Sequence, residues 1–414
     1  MNRIMKFQVI FFVLICIFSA NLFATENSDV VSVERFALYV SANNGGKERE
    51  ILRYATSDAE KLKNAMQEIG GVDSKNSILL KEPNQVEVEK ALQDFAEKVN
   101  SAKKSARRTE FIFYYSGHSD ENALLLGEES YGYSQLKSAI NSVPSDIHVV
   151  MLDSCFSGNF IRAKGGTRQK SFLVDESSVV SGHAYLSSSS ESEASQESDL
   201  IQSSYFTHAL ITGLRGAADS SGDNKVSLNE LYHYAFNETL SQTEQSTIGT
   251  QHPSYDITLV GSGDLILSDI STAESILVLD SDLAGTIYVR NEITGQLVSE
   301  IKKSGANKIP LALESGTYKV TMIQENQTLE SSVKLKAGRS VSLSIKKFKK
   351  VDTIDTRSRG GKFIPNPKPS QEDRNDIYQD LPDSESAEKF FDLNDDMNDV
   401  RNNAMDAIRK LQKK

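Results

Sequence analysis

Between residues 33 and 269, short apolar runs alternate with stretches whose apolar positions recur every three or four residues. "FALYVSA" (Phe36–Ala42) is almost continuously apolar, which suits a strand covered on both faces. "SDAEKLKNAMQEIGG" follows, with Leu62, Ala65, Met66 and Ile69 on one helical face, Ser57 or Asp58 in the capping place and Gly70–Gly71 as a stop. Ser77–Leu80, Glu110–Gly117, His148–Ser154 and Ala184–Ser188 read as further strands. Gln85–Val99, a stretch near Tyr133–Ile140, Ser204–Gly216 and the segment starting near Ser227 read as helices. Such alternation predicts an α/β fold, a mainly parallel sheet flanked by helices.

The pattern changes after residue 270. Seven short alternating segments between Ser275 and Lys347, with turn signals about every ten residues, predict a small antiparallel β-sandwich over 272–348. Residues 350–383 are polar and hold four of the eight prolines, so they read as a linker. Phe390, Leu393, Met397, Val400, Ala404, Ile408 and Leu411 then mark one amphipathic helix over 384–412, whose narrow apolar seam could take a partner. At the other end, Arg3 and Lys6 precede the apolar stretch Phe7–Phe18, broken only by Gln8, and small Ala24 closes "SANLFA". Residues 1–24 therefore read as a signal peptide, with export to a periplasm or the exterior. That run is short for a membrane span, and no later segment is long and apolar enough to make one once the leader is removed.

The net charge of −11 argues against general affinity for nucleic acid or anionic lipid. Of the two cysteines, Cys16 lies in the leader, so Cys155 stands alone in the mature chain with no disulfide open to it. An unpaired thiol in an oxidising compartment is a liability unless something uses it; the bland alternative is a small buried hydrophobe.

Reactive groups in open α/β sheets gather at the carboxyl ends of the strands. One strand here runs into "YYSGHS" with His118 at its tip, and the next into "LDSCFSG" with Cys155 at its tip. The intervening chain is a crossover that would set these ends side by side. An adjacent imidazole can take the thiol proton and later protonate a leaving amine. Gly117 and Gly158 flank the pair and let a substrate backbone approach, and the amides of Gly117 and Cys155 are candidates for an oxyanion hole. His148, His183, His208, His233 and His252 are scattered without metal-ligand spacing and read as packing or surface residues.

"YYSGHS" and "LDSCFSG", in this order and at strand ends, resemble the two active-site motifs of the caspase/metacaspase superfamily. The early "ALYVSANNGG", the "DAEKLKNAM" helix and "SYFTHALITGLRGAADSSGD" are similar to flanking regions of bacterial caspase-like proteins, so the resemblance covers residues 33–269. It implies a caspase-like fold and a cysteine endopeptidase acting on proteins or peptides through a His118–Cys155 dyad, with no required cofactor. In metacaspases an acid two residues before the nucleophile lines the S1 pocket. The resemblance therefore implies that Asp153 pairs with a substrate Arg or Lys, against the plainer role of a turn cap. A second pocket acid is expected in the loop after the fifth strand, where Glu191 and Glu193 stand. Relatives are often cut between their large and small parts, which here points to self-cleavage at Arg162, Lys164, Arg168 or Lys170 in the glycine-rich loop 160–182. The rival reading is a catalytically silent scaffold working through its sandwich and helix. Separately, "DSSGDNKVSLNE" has the layout of a calcium loop, with Asp219, Ser221, Asp223, Ser227 and Glu230 at ligand positions and Asn224 in place of the turn glycine; the alternative is a polar turn.

Overall fold

The computed structural model describes residues 33–162, 181–190, 193–244, 246, 248–261, 264–324 and 327–351. The leader, Lys164, Arg168, Lys170, Glu191, all of the linker after residue 351 and the 384–412 segment lie outside the described residues, as does the side chain of Arg162.

Strand β1 (Val33–Ala42) contains the apolar run and is buried from Phe36 onward. Helix α1 (Ala55–Glu68) begins earlier than its sequence suggests: Tyr54 occupies the cap position without a side-chain bond, and Asp58 turns inward. Strand β2 (Val72–Lys81) precedes α2 (Gln85–Ala102), which Asn84 and Glu87 close reciprocally in a capping box. Then come β3 (Arg108–Gly117), the hairpin β4 (Ala123–Leu126) and β5 (Glu129–Gly132), α3 (Tyr133–Asn141), β6 (Ile147–Asp153), α4 (Gly158–Arg162) and β7 (Ser181–Ser187). Two-residue strands β8 (Glu197–Ser198) and β9 (Ser203–Ser204) pair ahead of α5 (Tyr205–Thr212), which runs on into one π turn, Gly213–Ala217. Strand β10 (Lys225–Ser227), α6 (Leu228–Thr243), β11 (Ser254–Val260) and β12 (Ile266–Asp269) complete this part.

The main sheet has the order β11-β7-β6-β3-β1-β2. All its pairings are parallel except β11 with β7. The antiparallel sixth strand is an addition to the sequence expectation: "SYDITLV" lacks a continuous apolar run because an edge strand is only partly covered. Alternate residues feed two cores. Ala37, Tyr39, Tyr114 and Met151 pack with α1, α5 and α6 on one face. Phe36, Leu38, Phe113 and Leu152 pack with α2 and α3 on the other. Among the described residues no helix is long and apolar enough to cross a membrane.

Strands β13 (Ser275–Leu279), β14 (Gly285–Asn291), β15 (Leu297–Lys303), β16 (Ile309–Leu313), β17 (Gly316–Gln324), β18 (Gln327–Leu335), β19 (Arg339–Leu343) and β20 (Lys349–Val351) form the sandwich. Its sheets are β16-β13-β19 and β15-β14-β17-β18-β20 around a core that includes Leu277, Ile287, Leu311 and Val320. It is not wholly antiparallel, since β13 and β19 run parallel. The sandwich packs closely on the first part. Arg215 Nη1 donates to Glu68 at 2.8 Å and to the carbonyl of Ala312 at 2.9 Å. Gly216 has φ +122°, and a β-carbon there would lie 2.1 Å from the carbonyl oxygen of Pro310.

Candidate active site

Parallel strands β3 and β6 are neighbours in a register that sets Ser116 opposite Asp153. Two residues further along each chain stand His118 and Cys155, so the sheet itself brings both reactive side chains to one edge. Gly117 is required by close approach: a β-carbon would fall 2.4 Å from the Tyr115 hydroxyl and 2.7 Å from the carbonyl of Ala42. Tyr115 in turn donates to the carbonyls of His118 (2.6 Å) and Leu125 (2.8 Å), tying the histidine turn to the β4 hairpin. Gly45 lies under the imidazole, and a β-carbon on it would meet His118 Cδ2 at 2.5 Å.

His118 Nε2 is 2.7 Å from the carbonyl oxygen of Glu50. A carbonyl only accepts, so Nε2 carries the hydrogen and the lone pair of the neutral ring sits on Nδ1. Burial holds the His118 pKa below the usual imidazole value, with Arg49 acting in the same direction. Burial also pushes the Cys155 thiol up, opposed by a hydrogen bond from the Ser195 backbone N–H and by the charge of Arg49. Both shifts favour the neutral forms of the thiol and the imidazole. Ser119 Oγ donates to the Cys155 carbonyl. Phe156, next in the chain, takes φ +53°, an uncommon conformation for an aromatic residue, and its N–H is held by the carbonyl of Glu193 at 3.1 Å.

Asp153 is buried beneath this edge. Its carboxylate accepts from Ser195 Oγ (2.7 Å), Ser204 Oγ and Thr207 Oγ1 (2.5 Å). A second buried acid is Asp58 of α1, which takes Ser203 Oγ at 2.6 Å, the Ser204 N–H at 2.8 Å and Lys61 at 3.4 Å. Burial pushes Asp58 up to about 7; Lys61 and the bonds from Ser203 and Ser204 oppose this, while the charge of Asp153 adds to it. The sequence offers Ser57 or Asp58 as the cap of this helix, and neither caps it. The available signal was an acid on the apolar stripe that also carries Ala55, Ala59 and Leu62.

The other expected site residues scatter. Glu193 pairs with His252, whose backbone N–H and Nδ1 both lie 2.7 Å from its carboxylate oxygens. His252 is a half-exposed residue, as its scattered position suggests, and among the described residues its side-chain partner is Glu193. His148 is held by the carbonyl of Val143, and His183 stacks on Tyr185. In the 219–230 loop the acids serve the backbone. Glu230 accepts N–H groups of Ser220, Ser221 and Ser227, and closes a capping box on α6 with Ser227. Asp219 accepts from Gly222 and Asn224, and Asp223 from Lys225. Asn224 does take the left-handed conformation, with φ +63°. Among the described residues no group of three or more His, Cys, Asp or Glu gathers as a metal site would require.

A family model described as caspase domain matches residues 34–261. No curated protein matches the chain. Among solved structures, caspase-1 from Spodoptera frugiperda is similar at 12% identity and a TM-score of 0.41, over 57% of this chain and 91% of that one.

Proposed function

Since the chain belongs to the caspase-domain family and so carries a caspase-like cysteine peptidase domain, we propose that it is an exported endopeptidase cutting after arginine or lysine, with Cys155 as nucleophile and His118 as its base. The observation that carries the dyad is the β3–β6 register, which puts both residues at adjacent strand ends.

His118 Nδ1, left basic by the Glu50 carbonyl on the opposite nitrogen, takes the thiol proton as Cys155 Sγ bonds to the scissile carbonyl carbon. The oxyanion then faces the amides of Gly117 and Cys155. His118 returns the proton to the leaving amine and the C–N bond breaks. Water, deprotonated by the same nitrogen, hydrolyses the thioester and frees the thiol.

Specificity rests on Asp153 and Asp58, two buried carboxylates that share Ser204 as a partner. Hydroxyl donors can turn aside when a guanidinium or ammonium enters, whereas a neutral P1 side chain leaves the acids as they are. Arg162, Lys164, Arg168 and Lys170 offer such an enzyme cut sites in its own chain, and the leader pattern of residues 1–24 supports export. A peptide library randomised at P1 tests this reading: cleavage should concentrate after Arg and Lys. Cleavage after Asp, or none at any P1, would sink it.

A further inference from the structure

Residues 193–195 present three groups to the nucleophile motif. The Glu193 carbonyl takes the N–H of Phe156, the residue at φ +53° beside Cys155. The Ser195 N–H acts to lower the Cys155 thiol pKa against its burial, and Ser195 Oγ donates to Asp153 at 2.7 Å. These residues have no place in the main sheet, so something else must hold their backbone. Part of that support is Gln251, which accepts from the Gln196 N–H and donates to Ser188 and Ser195. A further part is the hydrogen-bonded Glu193–His252 pair just outside it. Glu193 receives the backbone N–H of His252 and, at 2.7 Å, its Nδ1, which must donate because a carboxylate only accepts.

We propose that the His252–Glu193 pair is a positioning latch for the nucleophile. It pins the carbonyl that fixes the Phe156 turn, and with it the Ser195 N–H that stabilises the Cys155 thiolate. Neither residue touches the reacting atoms; both act through the backbone of 193–195. The charged and titratable groups near the thiol are Arg49 after β1, His118 at the end of β3, Tyr133 of α3 and Asp153 of β6, with Glu193 and His252 beyond Phe156. None of the first four bonds to the His252 side chain, whose partner is Glu193. The proposal rests on the reading of Cys155 as nucleophile, but its main readout does not need peptide cleavage.

The test measures the rate of Cys155 alkylation by iodoacetamide against pH, beside kcat and KM on a peptide with Arg at P1, in full-chain protein. His252→Ala should move the alkylation inflection to higher pH, because the thiolate loses a fixed donor, and should lower kcat by roughly three- to tenfold with KM little changed. His252→Asn, whose side-chain N–H can stand where Nδ1–H stands, should restore most of both. Glu193→Gln, which keeps the carbonyl but weakens the pairing, should shift the inflection the same way. A folded His252→Ala protein with the parental alkylation profile would overturn the latch, as would an Asn variant as impaired as the Ala variant. If the parent cleaves no peptide, the proposed activity fails, while the alkylation profiles still decide the latch.

Discussion

At the residue scale, the site is set by what each reactive group is allowed to touch. Gly45 leaves room for the His118 ring, and Glu50 supplies a carbonyl that assigns its hydrogen to Nε2. Burial disfavours the imidazolium, so on acidification His118 stays neutral, and able to accept a proton, to a lower pH than a free imidazole. The acid limb of kcat/KM against pH should therefore turn below the ordinary imidazole value of about 6.5. An acid limb turning above that value would contradict a His118 whose pKa burial holds down. The strand-end positions of the proposed dyad residues were legible because each sits directly after an apolar run that could only be a buried strand. Asp58, Ser195 and His252 were not, because their relation to Cys155 depends on side chains meeting across 40 to 97 residues of chain.

At the scale of elements, the alternation of 2.0 and 3.6 periods revealed the parallel strands and the long helices, since both faces of those strands and one face of those helices are buried. The edge strand β11 left no pattern because it is only partly covered, and β8 and β9 because two residues are too few to show a period. The 219–230 loop shows a different limit. Its acids have calcium-like spacing, and the same spacing serves Asx turns and a capping box, in which they accept backbone N–H groups; both readings of the pattern stay open. At the junction of α5 with β16, Gly216→Ala places a β-carbon against the Pro310 carbonyl in a backbone conformation that side chains avoid. That conformation alone should cost about 1–3 kcal/mol, read as a lower unfolding midpoint in urea with an unchanged slope. An unchanged midpoint would mean the sandwich is not seated on the π turn as described.

At the scale of the whole molecule, α1 and α5 link the two buried acids to the sandwich. Asp58 lies near the start of α1 and Glu68 at its end; Ser204 and Thr207 mark the start of α5, and Arg215 lies in the π turn beyond it. Arg215 then joins Glu68 to the Ala312 carbonyl of β16. The sandwich thus sits behind the helices whose other ends hold the buried acids, a relation that strand patterning alone could not reveal. The account as a whole turns on one thiol. Replacing Cys155 by alanine removes the nucleophile at little cost in packed volume. Measured on an arginyl peptide beside the parent, full-chain Cys155→Ala should lose at least about a thousandfold in kcat/KM while keeping the parental melting temperature; a folded variant that retains substantial cleavage would contradict the account.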